Sequence, residues 1–97
     1  AAFKPGARFI NVGRGELVSE PALIAALQSG HISGAGLDVF ATEPLPEDSP
    51  LWDFDNVIIT PHSSGSSSTS GLRAEKIFVE NLRRYIENQP MRNEVKL

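Results

Sequence analysis

The chain has 97 residues, 40% hydrophobic and 22% charged, with a formal net charge of −3; this describes one small globular domain, or a piece of a larger one, and excludes a multidomain machine. Its pI near 5.3, with Lys and Arg scattered along the chain, leaves nothing to neutralise a run of phosphates and argues against nucleic acid as a partner. With no Cys and two His, disulfides, thiolate chemistry and Cys-based zinc sites are excluded, and no paired spacing is left for another metal.

Lys4-Pro5-Gly6 reads as a turn, and Arg8-Phe9-Ile10-Asn11-Val12, bounded by Gly13, as a first buried strand. Ser19 stands at an N-cap position and Glu20 suits the positive end of a helix, whose apolar stripe Leu23, Ile24 and Leu27 stops at Gly30. Gly34-Ala35-Gly36-Leu37-Asp38-Val39 reads as a second buried strand, its small residues allowing close approach of neighbouring backbone. Strand, helix and strand in that order imply a parallel pair joined by a right-handed crossover. From Thr42 to Asp55, Pro44, Pro46 and Pro50 forbid a regular ladder, so a long surface loop is expected, pinned by Leu51, Trp52 and Phe54. Asn56-Val57-Ile58-Ile59-Thr60 is a third strand, apolar enough to be buried on both faces, and Pro61 ends it. The serine-rich stretch from Ser63 to Gly71 has the composition of a flexible linker. From Leu72 to Asn88, Ala74, Phe78, Leu82 and Tyr85 fit one face of a long helix that Pro90 terminates. No apolar run reaches the roughly 18 residues of a membrane span, and the N-terminus lacks the order of a signal peptide. The expectation is a cytoplasmic protein with no membrane partner.

Open parallel sheets bind ligands beyond the carboxyl ends of their strands. Here those ends run into Gly13-Arg14-Gly15, into Asp38 with Glu43 shortly after, and into Thr60-Pro61-His62, which brings a cation, two carboxylates and an imidazole to one edge. Arg14, between glycines, could take a small acid's carboxylate in a two-bond fork, or it is simply a surface arginine in a tight turn. His62, held by Pro61, has a side chain suited to proton transfer near neutrality, and a contact with Glu43 would orient the ring and favour the imidazolium. Without that contact, Glu43 is a solvated acid beside Pro44. His31 falls in a helix-to-strand turn with no partner implied and is read as structural. Asp38 closes an apolar strand, so its carboxylate must accept hydrogen bonds, from a cofactor amide or from its own loop.

Gly13-x-Gly15 after a strand, followed by a helix, a strand and an acid, imitates the dinucleotide fingerprint. Its third glycine is replaced by Val18, whose β-branch works against close packing around a pyrophosphate.

Taken together, Lys4-Pro5-Gly6-Ala7, Asn11-Val12-Gly13-Arg14-Gly15, Gly34-Ala35-Gly36-Leu37-Asp38-Val39-Phe40, Glu43-Pro44-Leu45-Pro46, Ser49-Pro50-Leu51-Trp52 and Asn56-Val57-Ile58-Ile59-Thr60-Pro61-His62 resemble the D-isomer-specific 2-hydroxyacid dehydrogenases. The likeness extends to the terminal helix and Pro90-Met91-Arg92-Asn93. It implies an α/β fold, the C-terminal half of a Rossmann-type doubly wound parallel sheet with three parallel strands and helices. Residues 1–71 would belong to the NAD-binding domain and residues 72–97 to a terminal helix and tail returning toward a substrate domain outside this chain.

The resemblance further implies that the whole protein is an NAD- or NADP-dependent oxidoreductase. It would transfer hydride between the cofactor and a small 2-oxo or 2-hydroxy acid, in the manner of a glyoxylate/hydroxypyruvate reductase or a phosphoglycerate dehydrogenase. Arg14 would bind and polarise the acid, His62 would be the acid/base with Glu43 as its partner, Asp38 would contact the nicotinamide amide, and Asn11, Val12 and Gly13 would lie along the cofactor, with His62 also facing it. Formate-oxidising relatives carry glutamine at the Glu43 position, which argues against formate. The glycine fingerprint of the family lies upstream of these residues, so the chain alone is not expected to turn over. Its first strand would offer a free edge to another chain, and a homodimer is expected. Co-repressors resembling C-terminal binding protein share the same motifs and supply the alternative, a protein-interaction role.

Overall fold

The computed structural model describes residues 2–96, which form two compact units dividing between Ser64 and Gly65. In the first unit, β1 (Ala7–Asn11), β2 (Ile32–Leu37) and β3 (Val57–Ile59) make a parallel sheet in the order β1-β2-β3, with helix α1 (Glu20–Gln28) crossing between β1 and β2. This is the three-stranded half of a Rossmann-type sheet, as expected. The second strand starts and ends earlier than its composition suggested, because pairing begins where Ile32 meets Ala7. Ser19 occupies the N-cap of α1 without a side-chain cap bond.

Rows of paired residues alternate across the sheet. Phe9, Ala35 and Val57 share one row, Asn11, Leu37 and Ile59 another, and between them Ile10, Gly36 and Ile58 project to the opposite face. The first two rows supply the core, where Leu23 and Leu27 of α1 meet Ala35 and Leu37, joined by Phe40, Leu45 and Leu51. The other face is open: Ile10 is 73% and Ile58 72% exposed. The expectation that β3 is buried on both faces is therefore corrected for this unit, because α1 supplies apolar cover on one side only. β1 sits at an edge of the sheet, as expected.

Gly34 explains how β2 and the start of β3 fit. Its position lies against the Asn56 carbonyl, which a Cβ would meet at 2.8 Å, and that carbonyl accepts the Ala35 amide at 3.0 Å. Asn56 returns the contact by donating Nδ2–H to the Ser33 carbonyl.

The proline-rich connection is anchored by a short 3-10 turn, Pro50–Asp53, which drives Leu51 into the core at 1% exposure. Phe54 packs partly against the same cluster. Trp52 does not pin the loop from within; it is half-exposed and donates its indole N–H to the Pro46 carbonyl. Leu51→Ala should cost about 2–5 kcal/mol of unfolding free energy in the intact protein, the range for emptying a sealed leucine site. Denaturant unfolding measures this, and a cost below about 1 kcal/mol would show that the loop is anchored elsewhere.

The second unit is helix α2 (Ser70–Ile86) and its tail. Ser70 and Gly71, read from composition as linker, begin the helix; Ser70 donates to the Ser67 carbonyl through both its amide and its hydroxyl. The helix stops before Asn88, earlier than Pro90 alone would require. Asn88 takes φ 52, and Asn88 and Gln89 donate back to the Tyr85 and Arg84 carbonyls, a left-handed close that asparagine tolerates. The tail is fastened to the helix by Arg92, which pairs with Glu80 at 2.8 Å and exchanges backbone bonds with the Asn81 side chain. Arg92, with Arg84 beside it, holds the Glu80 carboxyl below its ordinary range.

Candidate active site

Because the strands are parallel, their carboxyl ends lie along one edge, and the sequence-predicted residues sit in the turns that leave it. After β1, the Asn11 side chain is buried and folds back on its own loop. Its Oδ1 accepts the Gly13 amide at 3.1 Å and its Nδ2 donates to the Arg14 carbonyl at 2.9 Å. This local turn holds the backbone of Arg14 while its guanidinium stays exposed. Nη1 donates to the Gly13 carbonyl. Among the described residues no carboxylate pairs with Arg14.

The glycines around Arg14 do different work from a phosphate cradle. Gly15 opens a single 3-10 turn, Gly15–Leu17, and α1 begins only at Glu20. Gly15 is buried, and a Cβ there would run into the Phe40 carbonyl, so it is the missing side chain that lets the loop after β1 pack on the loop after β2. Val18, in the third-glycine position of the imitation fingerprint, packs partly against the core.

After β2, the backbone amides of Phe40 and Ala41 are each capped by a carboxylate, Glu43 Oε1 at 3.0 Å and Glu20 Oε2 at 3.0 Å. Glu43 thereby has one oxygen committed to the scaffold. Its other oxygen, Oε2, lies 2.7 Å from His62 Nδ1, so the contact between these two residues anticipated from the sequence is made. The His62 bond, with the Phe40 amide behind it, holds the Glu43 carboxyl below its ordinary range despite some burial. Glu43 is thus ionised at neutral pH, and the His62 proton facing it sits on Nδ1. Nε2 has no partner among the described residues. Glu43 and His62 share a cleft of about 460 Å³ walled by Phe40, Pro44, Leu45 and Trp52; Arg14 is not part of its lining.

Asp38 is 2% exposed. Of the two kinds of partner the sequence left open, its own loop supplies three bonds: Thr60 Oγ1 donates to Oδ1 at 2.5 Å, the Ser63 amide to Oδ1 at 2.9 Å and the Ser64 amide to Oδ2 at 3.0 Å. Thr60, with these amides, holds the carboxyl well below the usual carboxylate range in spite of its burial. Ser63 and Ser64 are therefore pinned, not linker. His31 donates Nε2–H to the Phe3 carbonyl, consistent with its structural reading.

Sequence reasoning missed Thr60. A signal was available, because Leu37 pairs with Ile59, which sets Asp38 beside Thr60 at the ends of adjacent strands, and a buried acid needs a donor there. The bracing by Asn11 and the close approach at Gly15 had no such signal, since both depend on how two turns meet in space.

The backbone after β1 is also accessible at this edge. Val12 is 59% exposed and continues into side-chain-free Gly13, one residue past the bond between the Asn11 carbonyl and the Asp38 amide.

Residues 1–64 match the family model described as D-isomer specific 2-hydroxyacid dehydrogenase, NAD binding domain. The chain is 51% identical over 82 residues to glyoxylate/hydroxypyruvate reductase B of Citrobacter koseri, an alignment covering 84% of this chain and 25% of that protein. Among solved structures, a D-isomer specific 2-hydroxyacid dehydrogenase from Xanthobacter autotrophicus Py2, in complex with NADPH and MES, superposes with a TM-score of 0.87 at 52% identity, covering 96% of this chain and 38% of that one. An NADPH-dependent glyoxylate/hydroxypyruvate reductase from Sinorhizobium meliloti, in complex with NADP and sulfate, does so at 0.80 and 37% identity, over 92% of this chain and 28% of that one. The chain spans about a quarter of the length of reductase B.

Proposed function

The chain belongs to the D-isomer specific 2-hydroxyacid dehydrogenase family, and from that premise we propose that the whole protein reduces a small 2-oxo acid to the 2-hydroxy acid with NADH or NADPH. The observation that carries this reading is the His62 ring, oriented by Glu43 through Nδ1 at 2.7 Å, with Nε2 unpartnered among the described residues, at the sheet edge that also presents Arg14, which no carboxylate among the described residues pairs. Named relatives that reduce glyoxylate and hydroxypyruvate support those acids as the substrate class.

In this reading Arg14 grips the substrate carboxylate and polarises the adjoining carbonyl. Asn11, Val12, Gly13 and Asp38 form the cofactor edge, with His62 facing it. When bound, the reduced nicotinamide supplies the hydride that adds to the carbonyl carbon. As charge grows on the carbonyl oxygen, Arg14 stabilises it and His62 Nε2–H delivers the proton. Glu43 stabilises the imidazolium that precedes this transfer. In the oxidative direction His62 Nε2 accepts the proton of the hydroxyl. A homodimeric, cytoplasmic enzyme completes the proposal.

The decisive experiment is NADH and NADPH oxidation by the intact protein against a panel of small 2-oxo acids. Turnover with glyoxylate or hydroxypyruvate is expected. A protein that binds NADH and reduces none of them would overturn the enzyme assignment in favour of partner binding.

Glu43→Gln tests the pair itself. Glutamine keeps the length of the side chain but removes the charge that orients the His62 ring through Nδ1, so kcat for reduction should fall by roughly tenfold or more while NADH binding is retained. An unchanged kcat would remove Glu43 from the proton transfer.

A further inference from the structure

We propose, resting on the reading of His62 as the acid/base, that Thr60 and Asp38 close a clasp which forces the His62 backbone into its left-handed conformation and so aims Nε2 at the substrate; Thr60 is thereby a positioning residue for the reaction. His62 has φ 51, a region that residues with a Cβ rarely occupy and that persists only where surrounding structure over-determines it.

The over-determination is visible and centres on one residue. The Asp38 carbonyl accepts the His62 amide at 2.8 Å. The Asp38 carboxylate takes the Thr60 hydroxyl on one side of His62 and the Ser63 and Ser64 amides on the other. Thr60 is further tied by its own amide to the Leu37 carbonyl at 3.0 Å, and Asp38 by its amide to the Asn11 carbonyl at 3.0 Å. Pro61, between Thr60 and His62, has its own φ restricted by its ring and keeps Thr60 extended. The chain is thus anchored before, at and after His62, all to the ends of β1 and β2, and little freedom is left at that one backbone position.

Glycine would adopt this corner at less conformational cost, yet it carries no imidazole. The clasp is what allows a histidine to occupy it. Glu43 cannot replace the clasp, because the pair is half-exposed and touches only the ring. If the backbone relaxed to negative φ, the ring would swing off Glu43 and Nε2 would lose its aim. The Thr60 hydroxyl donates to the Asp38 carboxylate and is the largest influence holding that carboxyl low, which makes it a position where the clasp can be opened without deleting a charge.

The test uses the intact protein with Thr60→Val, Thr60→Ser and His62→Asn. Opening the clasp should lower kcat about tenfold while the NADH dissociation constant and the KM for the acid stay within twofold, and Thr60→Ser, which keeps the hydroxyl, should restore kcat. A general loss of structure would instead move all three parameters and the melting temperature together. Thr60→Ala carries the same test if the valine protein does not fold. A crystal structure of the Thr60→Val protein reads the point without activity, since φ of His62 should leave the left-handed region. An inactive His62→Asn with a Thr60→Val protein that keeps parental kcat and a left-handed His62 would overturn the clasp alone. Full turnover by His62→Asn would overturn the acid/base reading and the clasp with it.

Discussion

His62→Asn should lower 2-oxo acid reduction by the intact protein about 10²–10⁴-fold, the contribution of a positioned general acid, with NADH binding retained. Asparagine is the informative replacement. It is among the residues that tolerate positive φ, so it can hold the backbone that His62 adopts at φ 51 while removing the imidazole proton donor. Alanine would confound the loss of the acid with relaxation of the turn. A variant within threefold of the parent would show that the proton comes from elsewhere.

The second large effect is expected at Arg14. Arg14→Ala should lower kcat/KM by about 10²–10³-fold, the range for removing a donor aimed at developing negative charge, with both a lower kcat and a higher KM for the acid. Both parameters worsen together because one guanidinium anchors the carboxylate and polarises the carbonyl. Arg14→Lys should recover only part of the loss, since an ammonium keeps the charge without the planar fork. Stability should change by less than about 0.5 kcal/mol, as expected for an exposed side chain. The Asn11 brace acts on the Arg14 backbone carbonyl, so the loop keeps its shape in both variants. Unchanged kinetics in Arg14→Ala would exclude it from substrate binding.

Both effects depend on a shared design in which the Arg14 and His62 side chains are exposed and the backbone of each is held by a buried polar neighbour. Asn11 holds Arg14, and Asp38 holds His62. The buried residues have every side-chain polar atom satisfied among the described residues, which is what permits a short sheet edge to keep a cation and an imidazole in place without burying either.

The strands and helices could be read from the chain because their signals are local. The turn at Gly13, the apolar stripe of α1 and the run Val57-Ile58-Ile59 are each written within a few neighbouring residues, and the strand–helix–strand order implies the parallel sheet. That topology in turn places Arg14, Asp38, Glu43 and His62 at one edge before any distance is known. What the chain alone could not decide were relations between segments far apart in sequence. The partner of the Asp38 carboxylate was open until the register set Thr60 beside it. The reason for Gly15 lies in the Phe40 carbonyl, and the left-handed turn at His62 follows from bonds reaching back to Asp38. Apolar composition also could not say which faces are covered. Ile58 and Ile10 read as core residues, yet cover depends on which helices cross the sheet, and in this unit α1 crosses on one face only.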